Sequence, residues 1–239
     1  GDTANGMADI NRSEQVDGHA LFAYEYKYSY YARTGNYAAA IGPLMQIAQL
    51  NPTDPQWQTA IGNMYLLSSN SSSARDAFKK ALALDATNAD AQFGMTQLSA
   101  MSGDATSVDA QMAQLTSKVD PTSAARYEAT IAIDLLNATQ SSHANLATDA
   151  QKYAQQATKA DPNNANGWYA LGVADAQVNH SDKTDANFAL QKAYDIFKSQ
   201  NNTTGMKQVN DAYKQLNGQD LTGYNNGRDE QTNQPGHRT

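Results

Sequence analysis

Apolar and polar residues follow one another along most of this chain with the period of a helix. In PQWQTAIGNMYLLSSNSSSARDAFKKALALDATN, residues 55–88, Ile61, Met64 and Tyr65 recur at i, i+3 and i+4. After a serine-rich break at Ser68–Ser73, Ala74, Phe78, Ala81 and Leu82 recur at i, i+4, i+7 and i+8. Both spacings line apolar side chains along one face of a helix, so the stretch predicts two amphipathic helices joined by a polar turn.

The placing of small and large residues carries more information than the helices themselves. Gly62, Tyr65, Ala74, Phe78 and Ala81 occupy positions 8, 11, 20, 24 and 27 of a 34-residue unit. In that pattern the segment resembles a tetratricopeptide repeat (TPR). The preceding stretch fits the same register. Tyr24, Tyr26, Tyr28 and Tyr30 alternate, which alone would suggest a strand. With Leu21 as position 1, however, Tyr24, Tyr28 and Tyr31 fall at 4, 8 and 11. Ala40, Leu44 and Ile47 then fall at 20, 24 and 27, Gly35 in the turn between, and Pro43 within about the first turn of the second helix.

Three further units follow. In the third, Gly103-Asp104 makes the turn and Val108, Met112 and Leu115 keep the second-helix spacing. The fourth is the most divergent, with Tyr127, Ile131 and Leu135 on its first helix, a break at Gln140–His143, and Ala150, Ala154 and Ala157 on its second. Three alanines where bulk is usual predict a weakly stabilised link over 144–160, since each missing methylene forgoes about 0.8 kcal/mol of burial. In the fifth, Trp168, Leu171 and Gly172 precede a turn at Asn179–Thr184, and Ala186, Leu190 and Ala193 follow it. Met206, Val209, Tyr213 and Leu216 give one more apolar face, as a solenoid's last repeat needs a lid.

The resemblance therefore implies an all-α fold, a right-handed α-α superhelix (a TPR solenoid) of about five helix pairs plus a C-terminal capping helix. The units expected are 21–54, 55–88, 89–121, 122–162 and 163–198, with the cap at 205–216, so the repeat domain covers 19–216. Residues 1–18 read as a flexible arm and 217–239 as a disordered tail, both polar and without periodicity.

Composition narrows function mainly by exclusion. The net charge of -7 and the scattering of the 17 basic residues, of which Lys79-Lys80 is the largest cluster, argue against nucleic acid as a partner. With no cysteine there is no disulfide framework, zinc-finger spacing or thiol nucleophile. The four histidines, His19, His143, His180 and His237, lack partners at metal-ligand spacing, and no serine lies in a nucleophile motif. The expectation is a non-enzymatic protein without metal or cofactor. No run approaches the ~18 apolar residues of a membrane span. Only 17% of residues are charged and amides are abundant, a surface suited to an extracytoplasmic bacterial protein. The chain opens on Gly1, which fits an upstream anchor or signal segment removed by processing.

What the resemblance implies about function is binding of a protein or peptide along a concave groove lined by the first helix of each pair. Carried over position by position, that groove holds Thr59, Asn63, Phe93, Gln97, Met101, Tyr169 and Val173, an amide-lined surface with aromatic and apolar patches. The Lys and Arg with which chaperone-binding TPR domains clamp a carboxylate are missing, so acidic chaperone tails are not the expected ligand. Assembly of an envelope complex, or recognition of glycan or peptidoglycan, is the alternative reading. Tyr26 and Tyr30, off the repeat face, mark a possible edge for a dimer mate.

Overall fold

Asparagine and aspartate set the boundaries of nearly every helix. An Asx side chain at an N-cap accepts a hydrogen bond from the backbone N–H of N2 or N3, satisfying one of the four orphan donors of a helix start. Asn36, Asn70 and Asp104 do so to Ala39, Ser73 and Ser107. Asn88, Asp120, Asn164 and Asn202 do so to Ala91, Ser123, Gly167 and Gly205. Five of the chain's asparagines are therefore helix caps.

The computed structural model describes residues 8, 10–12, 21–142 and 146–221. Among them run eleven helices with full bounds: α1 (Leu21–Arg33), α2 (Tyr37–Leu50), α3 (Pro55–Leu67), α4 (Ser71–Leu84), α5 (Ala89–Met101), α6 (Ala105–Thr116), α7 (Pro121–Ser142), α8 (Ala147–Ala160), α9 (Ala165–Val178), α10 (Thr184–Ser199) and α11 (Thr203–Asn217). No strand occurs among the described residues, and the fold is an all-α array of helix pairs.

The turns repeat as regularly as the helices. Gly35, Ser69 and Gly103 all have positive φ (74°, 62° and 77°) and stand 34 residues apart, the length of one repeat. Behind each of them the next residue's N–H reaches back to close the preceding helix: Asn36 to Tyr31 O, Asn70 to Tyr65 O and Asp104 to Ser99 O, at 2.8 to 3.0 Å. This is the left-handed closure in which glycine avoids a Cβ clash, and Ser69 adopts it without that advantage.

Contacts divide the chain into two units, Gly1–Leu98 and Ser99–Thr239, with the boundary inside α5. In unit 1, Tyr24, Leu44, Ile47, Ile61 and Met64 form one core, with Tyr28, Tyr31 and Tyr65 packed against it. Phe78, Ala81, Ala91 and Leu98 form a second. Phe78 is fully buried and its ring abuts two glycines: a Cβ on Gly62 would sit 2.6 Å from Cδ1, and one on Gly94 would sit 2.5 Å from Cε2. One ring thus spaces α3 and α5. In unit 2, Leu190, Phe197, Val209, Tyr213 and Leu221 build the C-terminal core.

Several details differ from the sequence expectation. Ser71–Ser73 form the first turn of α4 rather than the break, because Asn70 takes the cap. Pro43 lies in the interior of α2, where its missing N–H removes one ladder bond. α7 runs on through Gln140–Ser142, where a break was expected; His143 lies outside the described residues. The alanine stripe of α8 is not short of bulk, because Tyr153, one residue off it, is 3% exposed and fills the space. Within the expected arm, residues 10–12 are helical and Ile10 is buried; the rest of the arm, apart from Ala8, lies outside the described residues. Within the expected tail, the chain turns at Gly218 in the left-handed region and Leu221 packs into the core at 1% exposure. Residues 222–239 lie outside the described residues.

Candidate functional site

The residues expected to face a ligand fall into three groups. Thr59 is 5% exposed and its Oγ1 donates to Pro55 O at 3.0 Å, so its hydroxyl is committed to its own helix and it is not a groove residue. Asn63 on α3 and Phe93 and Gln97 on α5 are half-buried in unit 1, each adjacent or close to a glycine that abuts Phe78. Met101, in the last turn of α5, is exposed at 40%. Leu135 and Leu136 on α7 are both buried.

Tyr169 and Val173 come together. They stand one turn apart on α9 and line a cleft of about 270 Å³ between α9 and α11, floored by Gly172 and Leu190. Gln177 extends the α9 wall by another turn, and Ala212, Gln215 and Leu216 form the opposite wall on α11. No side chain lining the cleft is charged. Its apolar surface comes from tyrosine and aliphatic groups, and its polar capacity from the amides of Gln177 and Gln215, which both donate and accept. Such a lining matches a neutral segment that buries one apolar side chain while its backbone pairs with amides.

Sequence reasoning missed the α11 wall. The signal was present, since Ala212 and Leu216 are i, i+4, but α11 had been assigned only a covering role. Lys183 Nζ donates to Leu216 O at 2.6 Å and satisfies a carbonyl in the last turn of α11.

The ionisable cluster of unit 2 lies elsewhere. Tyr153 Oη and Lys152 Nζ both donate to Asp109 Oδ1, at 2.5 and 2.6 Å, joining α8 to α6. Those two hydrogen bonds hold the Asp109 carboxyl below its usual range. Burial pushes the Tyr153 hydroxyl up, with the Asp109 bond adding to it. Glu128 on α7 is 8% exposed, its Oε2 has no hydrogen-bond partner, and burial raises its pKa to about 7. Asp175 on α9 is likewise raised by burial, partly offset by the 2.7 Å bond that Gln151 Nε2 donates to it. Tyr153, Glu128 and Asp175 are buried, whereas Asp109 and Lys152 remain open to solvent; none of the five lines the α9–α11 cleft.

Among the described residues no group of three or more His, Cys, Asp or Glu could hold a metal ion, and no helix is long and apolar enough to cross a membrane. No protein-family model matches the sequence, and no curated protein matches it. Solved structures do match the fold. A tetratricopeptide repeat protein from Parabacteroides merdae aligns at 15% identity over 86% of this chain and 77% of its own, with a TM-score of 0.62. Pseudomonas aeruginosa PilF aligns at 15% identity over 90% of this chain and all of its own, TM-score 0.54. MamA from Desulfovibrio magneticus aligns at 17% identity over 75% of this chain and 96% of its own, TM-score 0.53. With its 34-residue turn spacing and its glycine–aromatic junctions, the chain has the tetratricopeptide-repeat fold.

Proposed function

We propose that this chain is a non-catalytic scaffold that holds a segment of a partner protein in the cleft between α9 and α11. The observation that carries this reading is the lining of that cleft. Tyr169, Val173 and Leu216 leave apolar surface open, although they pack against the core behind. An open slot of this kind lowers stability unless something fills it, and burial of apolar surface contributes roughly 25 cal/mol per Å². Uncharged walls with an amide on each side favour a neutral peptide over a charged terminus. Asn63, Phe93 and Gln97 supply a comparable mixture of amide and aromatic groups on the first helices of unit 1, and belong to the same reading. A bacterial cell envelope is the setting this reading adopts, on the low charged fraction of 17% and the amide-rich surface.

The test is photo-crosslinking in the source cells from a probe residue at Gln177, with Thr148 on the exposed face of α8 as control. A discrete adduct from Gln177, absent from Thr148 and lost on Tyr169→Glu in a variant of unchanged circular dichroism, is the expected result. Equal adducts from both positions, or an adduct indifferent to Tyr169→Glu, would remove the cleft from consideration. Fractionation of the same cells checks the envelope setting, which fails if the protein stays with the cytosol.

A further inference from the structure

α8 has few attachments of its own. Its N-cap, Leu146, offers no side-chain bond to the helix start, where most of the other helices have an asparagine or aspartate. Its buried apolar face is four alanines, Ala147, Ala150, Ala154 and Ala157, and one large side chain, Tyr153. Three consecutive residues tie it sideways. Gln151 donates to Asp175 on α9, while Lys152 and Tyr153 donate to Asp109 on α6. A helix seated on small side chains and a few lateral bonds opens at lower cost than the whole fold.

The seat itself contains a carboxyl without a partner. Glu128, on α7, is 8% exposed, its Oε2 is bonded to nothing, and it is in no ion pair among the described residues. It lies close enough to Tyr153 for its charge to act on that hydroxyl. Within unit 2 the helices packed against α7 are α6, α8 and α9. From α6 the one ionisable group is Asp109, already bonded by Tyr153 and Lys152. From α8, Asp149 adds negative charge near Tyr153, and Lys159 is exposed in the last turn. Lys152 is close by but is held on Asp109, 2.6 Å away, and over the Tyr153 ring. From α9 come Asp175, bonded by Gln151, and Tyr169, which lines its own cleft. On α7 itself Arg126 is exposed and lies over the Tyr127 ring, and Asp134 stands more than a turn away. No cation is therefore set against Glu128. Burial alone raises its pKa to about 7, so its ionisation falls in the neutral range.

We propose that α8 is a proton-operated latch, seated on α7 while Glu128 is protonated and lifted when that carboxyl ionises. An unpaired carboxylate in a buried seat is costly, whereas a neutral carboxyl is far less so. When α8 lifts, water reaches Glu128 and solvates the charge. The bonds of Gln151, Lys152 and Tyr153 break in the same event, because all three belong to the helix that moves. The seated form binds the Glu128 proton more tightly than the lifted form, so acid favours seating and rising pH favours lifting. The change runs from the ordinary glutamate range, where the lifted form titrates, up to about 7, where the seated form does. Lifting uncovers the faces of α7 and α9 on which α8 packs. The latch uses no residue that lines the α9–α11 cleft, so either reading can fail without the other.

Two measurements on the full chain test this. The chain has four glutamates, Glu14, Glu25, Glu128 and Glu230, so glutamate labelled with 13C at the side-chain carboxyl gives a spectrum simple enough to titrate. One signal is expected to titrate at about 7 and to be missing in Glu128→Gln. Hydrogen exchange, corrected for the intrinsic effect of pH, gives the second readout. Protection of 147–160 relative to 184–199 should fall about tenfold per pH unit between about pH 5 and 7, then level off. In Glu128→Gln that fall should disappear. Four carboxyls that all titrate in the ordinary range would overturn the proposal, and this is read on the parent chain whether or not the variant folds. So would an equal fall in 147–160 and 184–199, which would make the event global unfolding. A fall unchanged in Glu128→Gln would overturn it too, since the proton would then belong to another group, such as Asp175.

Discussion

The ring of Phe78 occupies the volume that a side chain on Gly62 would need: the nearest ring atoms all lie within 3.0 Å of where a Cβ would stand. Neither residue can change alone. Gly62→Ala adds helix propensity worth about 1 kcal/mol, but pushing the ring out of a fully packed site costs more. The expected net loss is about 1–3 kcal/mol, read from urea denaturation. In the Gly62→Ala background, Phe78→Leu should destabilise far less than it does in the parent, because the smaller side chain vacates the contested space. Additive losses would mean the ring and the glycine are not coupled.

Ser69 offers the opposite case. It holds φ 62° where Gly35 and Gly103 stand in the neighbouring turns. A side chain in the left-handed region costs about 1–2 kcal/mol, so Ser69→Gly should raise stability by roughly 1 kcal/mol. Thermal unfolding that moves down instead would show that the serine makes a compensating bond.

Glu128 makes stability depend on pH in a stated direction. Its pKa rises from 4.5 to about 7 on folding, through burial. The folded chain therefore binds the proton more tightly than the unfolded chain. Stability is highest below pH 4.5 and falls as pH rises towards and through 7, by up to about 3 kcal/mol at 1.36 kcal/mol per unit. Asp175, raised by burial as well, acts in the same direction. Glu128→Gln keeps the shape and removes the charge. Its melting temperature should exceed the parent's at pH 8 and converge with it near pH 5. Parallel curves would show that the carboxyl is solvated.

Tyr153 binds α8 to α6 in two ways, by packing and by its hydroxyl on Asp109. Tyr153→Ala should cost about 3–5 kcal/mol and Tyr153→Phe about 1 kcal/mol. Hydrogen exchange should slow in 147–160 in the parent and become fast in Tyr153→Ala before it does elsewhere. Uniform loss of protection would place the residue in one cooperative unit with the rest.

The helices and their pairing were legible because bulk and smallness recur in register: Phe78 against Gly62 is readable as two positions in a repeat before any coordinates. Single residues off that register were not. Tyr153 falls outside the alanine stripe that marks its helix, so the sequence suggested a thin core where an aromatic ring fills it. Thr59 fell on a position that faces ligand in related repeats, yet its hydroxyl can bond its own backbone, and no pattern tells which option a threonine takes. Tyr169 and Val173 were found by position, but their cleft has a second wall on α11. A cavity belongs to two helices, and periodicity describes one at a time.

The glycine notches have a bearing on how such a chain can be rearranged. Phe78 fits Gly62 and Gly94, Leu190 fits Gly172, and Phe197 fits Gly205. Each protrusion is cut for its own neighbour: Gly62 and Gly172 are both the eighth residue of their helices, yet one takes a phenyl ring and the other a leucine. A duplicated or transplanted helix pair would meet a foreign neighbour, ring against side chain or notch against empty space. Repeats that look interchangeable by length are thus keyed in sequence, and recombination between them is expected to survive only where both halves of a lock travel together.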